Sequence, residues 1–338
     1  MKRQISYPLM MVLFLCGLIA AFFISFLIGR YPIAIRTVEG IILSRFFSIT
    51  AYWEGTLEKV VLHVRLPRIL LAILVGGSLS MAGASYQTLF KNPMVSPDIL
   101  GVSAGAGFGA ALAMLQNGSW AGIQFFALTF GLLAVGLAYL IASLSGGRQN
   151  LTVLILAGIV TSSLFQSLLS VVKTLADTDN QLPSITFWLM GSLGKGNNDD
   201  VLIMLPVVAA SAFVLFLFRS HIDALSAGED EALSMGVNVP LVKIVVIVSS
   251  TLLTVVSVSI CGIIGWVGMV VPHIARALTG ASYGRLCSLS FLIGALFLLL
   301  IDNIIRGIPG VELPLGVMTA LIGTPAFAVM LARIKRGW

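Results

Sequence analysis

The sequence has 338 residues, of which 58% are hydrophobic and only 10% are charged, and its formal net charge at pH 7 is +6. Soluble globular proteins carry about 25% charged residues, so this composition excludes a water-soluble globular protein. Apolar runs long enough to cross a bilayer as a helix, about 20 residues, recur along the chain. We therefore predict an all-α integral membrane protein, surrounded by lipid, in which residues 1–338 form a single polytopic domain.

Ten apolar runs predict ten membrane spans with both termini on one side. The first run is too long for the hydrophobic region of a signal peptide, and no cleavage site follows it cleanly, so we expect it to be retained. A further run, Gln181–Leu193, contains Pro183 and is too short to cross, which indicates a half-helix or re-entrant piece. The ten runs are 8–28, 62–83, 97–115, 121–143, 151–173, 200–218, 240–261, 264–278, 284–302 and 312–332.

Lys and Arg residues between the spans favour a cytoplasmic location for both termini, although the bias is small. Eleven lie on the side of the termini and nine on the opposite side, six of these in the single long segment 29–68. The basic residues form no block, so the sequence gives no indication of a nucleic-acid partner. Cys16, Cys261 and Cys287 have no metal-ligand spacing, and we predict neither a disulfide framework nor a metal site.

A polar segment, 221–238, interrupts the apolar chain between the sixth and seventh spans. Ser226 and Glu229 have the spacing of a capping box, which marks a helix start, and Gly236 suits a left-handed helix stop. We predict a short helix over about 227–235 outside the membrane, with an acidic end facing water or a partner and a small apolar contact at Ala232, Leu233 and Met235. The alternative is a solvated loop that joins two spans.

Charged side chains are absent from the middle of every predicted span. Ion-driven carriers usually need such groups, and the chain has no P-loop with which to bind ATP. A transporter that neither couples to an ion gradient nor binds ATP needs a partner subunit that supplies the energy. The segment 221–238 is where a soluble ATPase would attach. An ion-coupled secondary transporter remains the alternative, while an intramembrane enzyme is disfavoured because no paired carboxylates, HExxH or GxSxG motif occurs.

Three arginines lie at span ends on the side opposite the termini: Arg65 and Arg68 before the second span and Arg306 after the ninth. A guanidinium group pairs with carboxylates in a bidentate manner, although arginines at span ends also extend to lipid headgroups. The fifth span carries Ser163, Gln166 and Ser167 at helical spacing, which suits either a wet pathway or hydrogen bonds between helices.

Several motifs, in order from about residue 60 to the C-terminus, resemble those of the FecCD-type permeases, the membrane subunits of ABC importers for ferric siderophores, haem, vitamin B12 and molybdate. They are Arg65-Leu-Pro-Arg68, Phe90-Lys-Asn92-Pro93, Leu100-Gly-Val-Ser103-Ala-Gly105-Ala-Gly107, Leu156-Ala-Gly158, Phe187-Trp188-Leu-Met190-Gly191, Gly228-Glu229-x-x-Ala232-x-x-Met235-Gly236, Gly268-Met-Val-Val-Pro272-His273-x-x-Arg276 and Leu313-Pro314-Leu-Gly316-Val-Met-Thr319-Ala. The first 55 residues match poorly.

The resemblance implies a type II ABC importer permease fold in the bacterial inner membrane. It also implies a homodimer with the pathway at its two-fold axis, two ATPase subunits that bind ATP and Mg, and a periplasmic or lipid-anchored binding protein. We expect no catalytic residue and no cofactor in this chain. The positions implied are the ATPase-coupling residues Leu225, Gly228, Glu229, Glu231, Ala232, Leu233, Met235 and Gly236; the docking arginines Arg65, Arg68 and Arg306; the cytoplasmic gate residues Asn92, Met94, Leu151 and Thr152; and, among the neutral pathway candidates, Ser163, Gln166, Ser167, Met318 and Thr319.

Overall fold

The computed structural model describes residues 6–334 except 30, 46, 49, 146–149, 309 and 311. The described residues form helices and no strand, and a π-helical stretch, Val60–Arg65, joins the third helix to the fourth. The helices are α1 (Tyr7–Ser25), α2 (Ile35–Leu43), α3 (Gly55–Lys59), α4 (Leu66–Leu89), α5 (Val102–Leu115), α6 (Trp120–Leu144), α7 (Leu151–Leu175), α8 (Gln181–Leu189), α9 (Asn198–Leu217), α10 (Arg219–Ala227), α11 (Glu229–Ser234), α12 (Val239–Cys261), α13 (Val267–Thr279), α14 (Tyr283–Gly307) and α15 (Leu315–Ile334).

Each predicted span has a helix, namely α1, α4, α5, α6, α7, α9, α12, α13, α14 and α15. Seven helical stretches in the described part of the chain are long and apolar enough to cross a membrane, and α5, α13 and α15 are shorter apolar helices. The predicted start of the third span at residue 97 is wrong, because Asp98 closes a turn with Ser96 and Ser103 before α5 begins. The run Gln181–Leu193 contains the nine-residue helix α8.

The core of the bundle is built from α4, α12 and α14. Within the most apolar 18-residue stretch of α12, 78% of the residues are buried, compared with 22% in the corresponding stretch of α1. Gly76 of α4 lies so close to the main chain of Gly294 in α14 that an added Cβ would overlap it, which is the close packing that small residues permit between membrane helices. A hydroxyl pair reinforces the contact between α4 and α14 at the start of α14, with Ser85 Oγ 2.7 Å from Tyr283 Oη.

The chain is unwound between α12 and α13, at residues 262–266. Gly262 has φ +74° and Trp266 has φ +70°, a region that favours glycine and is rare for a bulky residue. The Trp266 ring packs against Phe327 of α15 in an edge-to-face arrangement with centroids 6.1 Å apart. The break therefore turns the chain back and brings an aromatic side chain against α15.

The bundle has two ends with different chemistry. At the arginine end, defined by Arg65, Arg68 and Arg306, the N-terminus of α4 meets the C-termini of α1 and α14. At the coupling end, defined by α10 and α11, the chain connects α9 to α12.

Six basic residues used in the orientation count lie outside the described residues: Lys2, Arg3, Arg30, Arg148, Lys335 and Arg336.

Candidate functional site

The coupling segment folds as two short helices, α10 and α11, rather than as one helix over 227–235. The predicted capping box is wrong, because the Ser226 hydroxyl donates to the Asp223 carbonyl within α10, 2.7 Å away. Gly228 separates the helices and precedes α11, with no side-chain cap. Gly236 has φ +77°, so the predicted left-handed stop after the acidic helix is confirmed.

The acidic end of α11 is fastened to the bundle. Glu229 Oε1 lies 2.8 Å from Nζ of Lys243 in α12, and the Lys243 side chain is only 7% exposed whereas that of Glu229 is 47% exposed. A buried ammonium group needs a counter-ion. The position of α11 is therefore tied electrostatically to the second turn of α12.

A second fastening holds α10 to the start of α14. The backbone N–H of Tyr283 donates to Asp223 Oδ1, with 2.6 Å between the atoms, and Ile222 of α10 is buried. Through Asp223 and Glu229, the coupling end is linked to both α14 and α12, two of the three core helices.

The outer surface of α11 is open and partly apolar. Leu233 is 57% exposed and Met235 is 69% exposed, and Glu231 also faces solvent, whereas Leu225 and Ala232 are buried against the bundle. Among the coupling residues predicted from the sequence, Leu225 and Ala232 thus hold the helices in place. Glu231, Leu233 and Met235 remain available for contact with another protein.

The arginines are held by the protein itself. Arg68 forms a bidentate pair with Asp302, with Nη2 2.9 Å from Oδ1 and Nε 3.2 Å from Oδ2. Arg306 Nε lies 2.9 Å from Oδ2 of the same carboxylate. Arg65 donates to the carbonyls of Phe26 and Tyr31. Asp302 is fully buried, whereas the Arg68 side chain is 19% exposed, so Arg68 is the more accessible member of the pair.

Three guanidinium groups and one buried carboxylate leave this cluster with a positive balance. A cavity of about 220 Å³ opens beside it, lined by Arg65, Arg68, Arg306 and Tyr31 among others. Asp302 was not predicted from the sequence as a functional residue, because its partner Arg68 is 234 positions away and only the fold brings the two together.

The two predicted gate segments are a turn before α5 and the start of α7. Asn92 and Met94 form a turn in which Asn92 Oδ1 accepts from the Met94 N–H at 2.9 Å, and both side chains are exposed. Further along the same loop, the carbonyl of Ile99 lies against Gly158 of α7. Leu151 and Thr152 begin α7, where Asn150 Oδ1 accepts from the Thr152 N–H at 2.9 Å.

In the same loop, Asp98 is enclosed by hydroxyl groups. Ser103 Oγ donates to Asp98 Oδ1 at 2.6 Å and Ser96 Oγ donates to Oδ2 at 3.1 Å. Burial raises the pKa of the Asp98 carboxyl, while the hydrogen bonds from Ser103 and Ser96 act in the opposite direction. This turn holds the loop that carries Asn92 and Met94.

The pathway candidates divide into two groups. Ser163, Gln166 and Ser167 are exposed on one face of α7, although the two serine hydroxyls donate to carbonyls of the preceding turn. Met318 is half-buried, whereas Thr319 is fully buried and donates to the Gly316 carbonyl at 3.0 Å. Within one protomer, Thr319 therefore faces the bundle and not an open surface.

The start of α15 is joined end to end with α8. The N–H groups of Leu315 and Gly316 donate to the carbonyls of Gly191 and Met190, at 2.8 and 2.9 Å. Free amides of a helix start thus meet free carbonyls of a helix end. No group of three or more His, Cys, Asp or Glu side chains that could hold a metal occurs in the described part of the chain.

The model of the FecCD transport family matches residues 17–333. The chain belongs to the FecCD transport family. It is therefore the membrane permease subunit of an ATP-binding-cassette importer, and ATP hydrolysis is carried out by separate subunits. The match begins at residue 17, so it includes much of the N-terminal region that had looked dissimilar.

Relatives within the family differ in the cargo that their names state. The molybdate import permease of Haemophilus influenzae is 35% identical over 332 residues, 98% of each chain. A probable iron chelatin permease of Helicobacter pylori is 37% identical and covers 83% of this chain and 85% of its own. The cobalamin import permease of Halobacterium salinarum is 36% identical, over 82% of this chain and 74% of the length of that permease.

A solved structure assigned to the metal-chelate type of ABC transporter, in an inward-facing conformation, superposes with a TM-score of 0.85. It is 34% identical and covers 96% of this chain and 99% of its own. The chain therefore has the type II importer permease fold expected from the motifs. Family membership also implies ATPase and substrate-binding partners, a dimeric arrangement, and a multi-span location in a membrane such as the bacterial inner membrane.

Proposed function

We propose that two copies of this chain, with two ATP-binding subunits and one binding protein, carry a metal chelate or a metal oxyanion from periplasm to cytoplasm. The supporting observation is α11, which exposes Leu233 and Met235 while Glu229 is tied to the buried Lys243. Exposed apolar side chains on a charged helix outside the spans suit a protein partner. The partner at this end is the ATPase.

The proposed ATPase contact implies an orientation for the chain. ATP is cytoplasmic, so α10 and α11 face the cytoplasm together with both termini. The arginine end then faces the periplasm, and the positive balance around Asp302 suits acidic groups on a binding protein. Arg68 is the first contact, because it is the more exposed of the two arginines that pair with Asp302.

The transport step is a movement of helices, with no covalent chemistry in this chain. Closure of the ATPase subunits pushes α11, and the links Glu229–Lys243 and Asp223–Tyr283 pass this motion to α12 and α14. The bundle then alternates between outward-open and inward-open states. Asn92, Met94, Leu151 and Thr152 close the cytoplasmic side, and Ser163, Gln166, Ser167 and Met318 line the passage at the dimer axis.

The cargo class follows from the relatives, whose names cover molybdate, iron chelates and cobalamin. The exposed polar residues on α7 are neutral, so they suit cargo that is held weakly and released. Selection among these cargoes then belongs to the binding protein.

The test is reconstitution of the chain in liposomes with the ATPase and binding protein encoded beside it. We expect ATP-dependent uptake of one loaded cargo, and ATP hydrolysis that rises when the loaded binding protein is added. Uptake that proceeds without ATP or without the ATPase subunit would contradict the proposal.

A further inference from the structure

A groove of about 510 Å³ lies on the outer surface of the bundle, between α1, α9 and α14. Leu74 and Met81 of α4 are buried and form its floor, whereas Val12 and Leu15 of α1 and Leu205 of α9 are exposed along its edges. Apart from one serine, every residue that lines the groove is apolar. The groove therefore suits a hydrocarbon chain.

The groove extends to the coupling end of the bundle. On α9, positions 205, 209 and 212 line it, and position 216 lies on the same helical face. From Leu205 to Phe216 the helix rises about 16 Å, which is about half of the 30 Å hydrocarbon thickness of a bilayer. Because α9 ends at Leu217, the groove has the depth of one leaflet and opens at the membrane surface.

Arg219 lies at this opening, between α9 and α14. Its guanidinium carbon is 4.1 Å from the centroid of the Phe216 ring, and its Nη1 donates to the Phe216 carbonyl at 3.0 Å. The aliphatic part of the side chain packs on α14, since a Cβ added to Gly284 would lie 3.1 Å from Arg219 Cδ. These contacts hold the cation in place, and the side chain is still exposed to a ligand.

A second guanidinium group, that of Arg285, lies at the same opening. Arg285, Ser288 and Leu292 share one face of α14, and Ser288 and Leu292 line the groove. The Arg285 guanidinium carbon is 5.6 Å from the centroid of the ring of Tyr7, the first residue of α1. Arg285 is exposed, so it places a second cation between α14 and α1.

The opening of the groove has a positive balance of charge. Neither Arg219 nor Arg285 forms an ion pair with a carboxylate of the described residues. Asp223 follows one turn after Arg219, and its carboxylate accepts the backbone N–H of Tyr283 at 2.6 Å. Helices α1 and α14 also begin here, and helix starts favour anions. A phosphate group is complementary to this arrangement.

We propose that the groove binds one anionic phospholipid per protomer, with an acyl chain along α9 and the phosphate between Arg219 and Arg285. Basic pockets between membrane helices on the cytoplasmic side recognise such headgroups. The leaflet follows from the proposed orientation, whereas the chemistry of the lipid follows from the groove and its arginines. The site goes beyond the import function and fastens α1, of which little is buried, to the bundle.

A phospholipid matches both parts of the groove, and a protein helix matches only one. An apolar helix from a second copy could cover the lining at Val12, Leu15 and Leu205. It would leave the two guanidinium groups at the opening without an anion. A phospholipid supplies the hydrocarbon chain and the phosphate in one molecule, at the depth where the groove needs each of them.

The test is native mass spectrometry of the detergent-purified full chain, titrated with phosphatidylglycerol or phosphatidylcholine of identical acyl chains. We expect saturable binding of one phosphatidylglycerol per protomer and weaker binding of phosphatidylcholine. Arg219→Gln and Arg285→Gln should each weaken phosphatidylglycerol binding about fivefold, the usual effect of one basic residue near an anionic lipid, and leave phosphatidylcholine binding unchanged. Arg285→Lys keeps the charge and should keep the preference.

Two alanines of α9 test the part of the site that holds the acyl chain. Ala209 lines the groove, whereas its neighbour Ala210 does not, and both are exposed. Ala209→Trp should fill the groove and weaken the binding of both lipids, and Ala210→Trp should bind them as the native chain does. Lys91→Gln, which removes an exposed charge after the end of α4, is the matched control for the arginines.

Thermal unfolding in detergent shows that the variants are folded, and phosphatidylglycerol should raise the melting temperature of the native chain more than that of Arg219→Gln or Arg285→Gln. Equal affinity of the native chain for the two lipids would overturn the site, because it indicates unselective lipid contact. Phosphatidylglycerol binding that is unchanged in both glutamine variants would also overturn it. So would a dimer that Ala209→Trp dissociates without any loss of lipid binding, because a second copy would then cover the groove.

Discussion

At the level of single residues, Asp302 is the fully buried carboxylate of the arginine end. Its buried carboxylate is the counter-ion of both Arg68 and Arg306. Asp302→Asn keeps the shape of the side chain but leaves two guanidinium groups without their negative partner. We expect a loss of about 3 kcal/mol in unfolding free energy, at the low end for a broken buried pair because Arg68 is partly exposed, measured by thermal unfolding in detergent.

The exposed pair of Arg45 and Glu58, 3.0 Å apart, is the matched control for Asp302. Glu58→Gln should change the unfolding free energy by less than about 1 kcal/mol, as is usual for surface ion pairs. If both substitutions lower the melting temperature equally, the special role of the buried carboxylate is contradicted.

Ser167 of α7 and Thr319 of α15 differ in their exposure. Ser167 is exposed on α7, whereas Thr319 is fully buried in its own protomer. In a chain where Cys16 is replaced by serine, a Ser167→Cys thiol should react with a membrane-impermeant thiosulfonate and a Thr319→Cys thiol should not. The native thiols of Cys261 and Cys287 are buried and should stay unlabelled. An unreactive Ser167→Cys would remove this face of α7 from the pathway.

At the scale of elements, the link between α11 and α12 determines how a push at the coupling end travels. Glu229→Gln removes the carboxylate charge that lies 2.8 Å from the buried ammonium of Lys243 in the native chain. We expect the complex to assemble but to lose the stimulation of ATP hydrolysis by loaded binding protein. Glu229→Lys should abolish that stimulation completely, because it adds a like charge.

A double-mutant cycle with Lys243→Met tests whether the two side chains act as a pair. If they do, Glu229→Gln and Lys243→Met together should impair stimulation less than the sum of the single effects. Simple additivity would mean that each residue acts alone.

The left-handed turn at Gly236 ends α11. Gly236 has φ +77° with open space around its Cα, so alanine is opposed by backbone strain alone, about 1 kcal/mol. Proline is fixed at negative φ and cannot adopt this conformation. We expect Gly236→Ala to retain coupled ATP hydrolysis and Gly236→Pro to lose it while the chain still inserts in the membrane. Equal activity of both variants would contradict the role of this turn.

At the level of the whole molecule, the helices of the bundle were predictable from the sequence, but the side-chain pairs that join distant helices were not. Each of the ten long apolar runs corresponds to a helix, and seven of the helical stretches in the described part of the chain are long and apolar enough to cross a membrane. The start of α11 was predicted wrongly, because the Ser226 hydroxyl can bond to Asp223 as easily as to a cap position. Pairs such as Arg68 with Asp302 depend on tertiary packing between distant segments, which residue spacing does not encode.

In the proposed function, the chain receives its driving force from an ATPase that docks at α11. The most direct measurement is co-purification of the tagged chain with the ATPase subunit, comparing the native chain with Leu233→Asp/Met235→Asp, which places charge on the exposed apolar surface. Thr56→Asp, an exposed substitution at the arginine end, is the control. We expect the native chain and the control to retain the ATPase, and the α11 variant to insert normally and lose it. Full retention of the ATPase by the α11 variant would mean that the ATPase does not dock at α11.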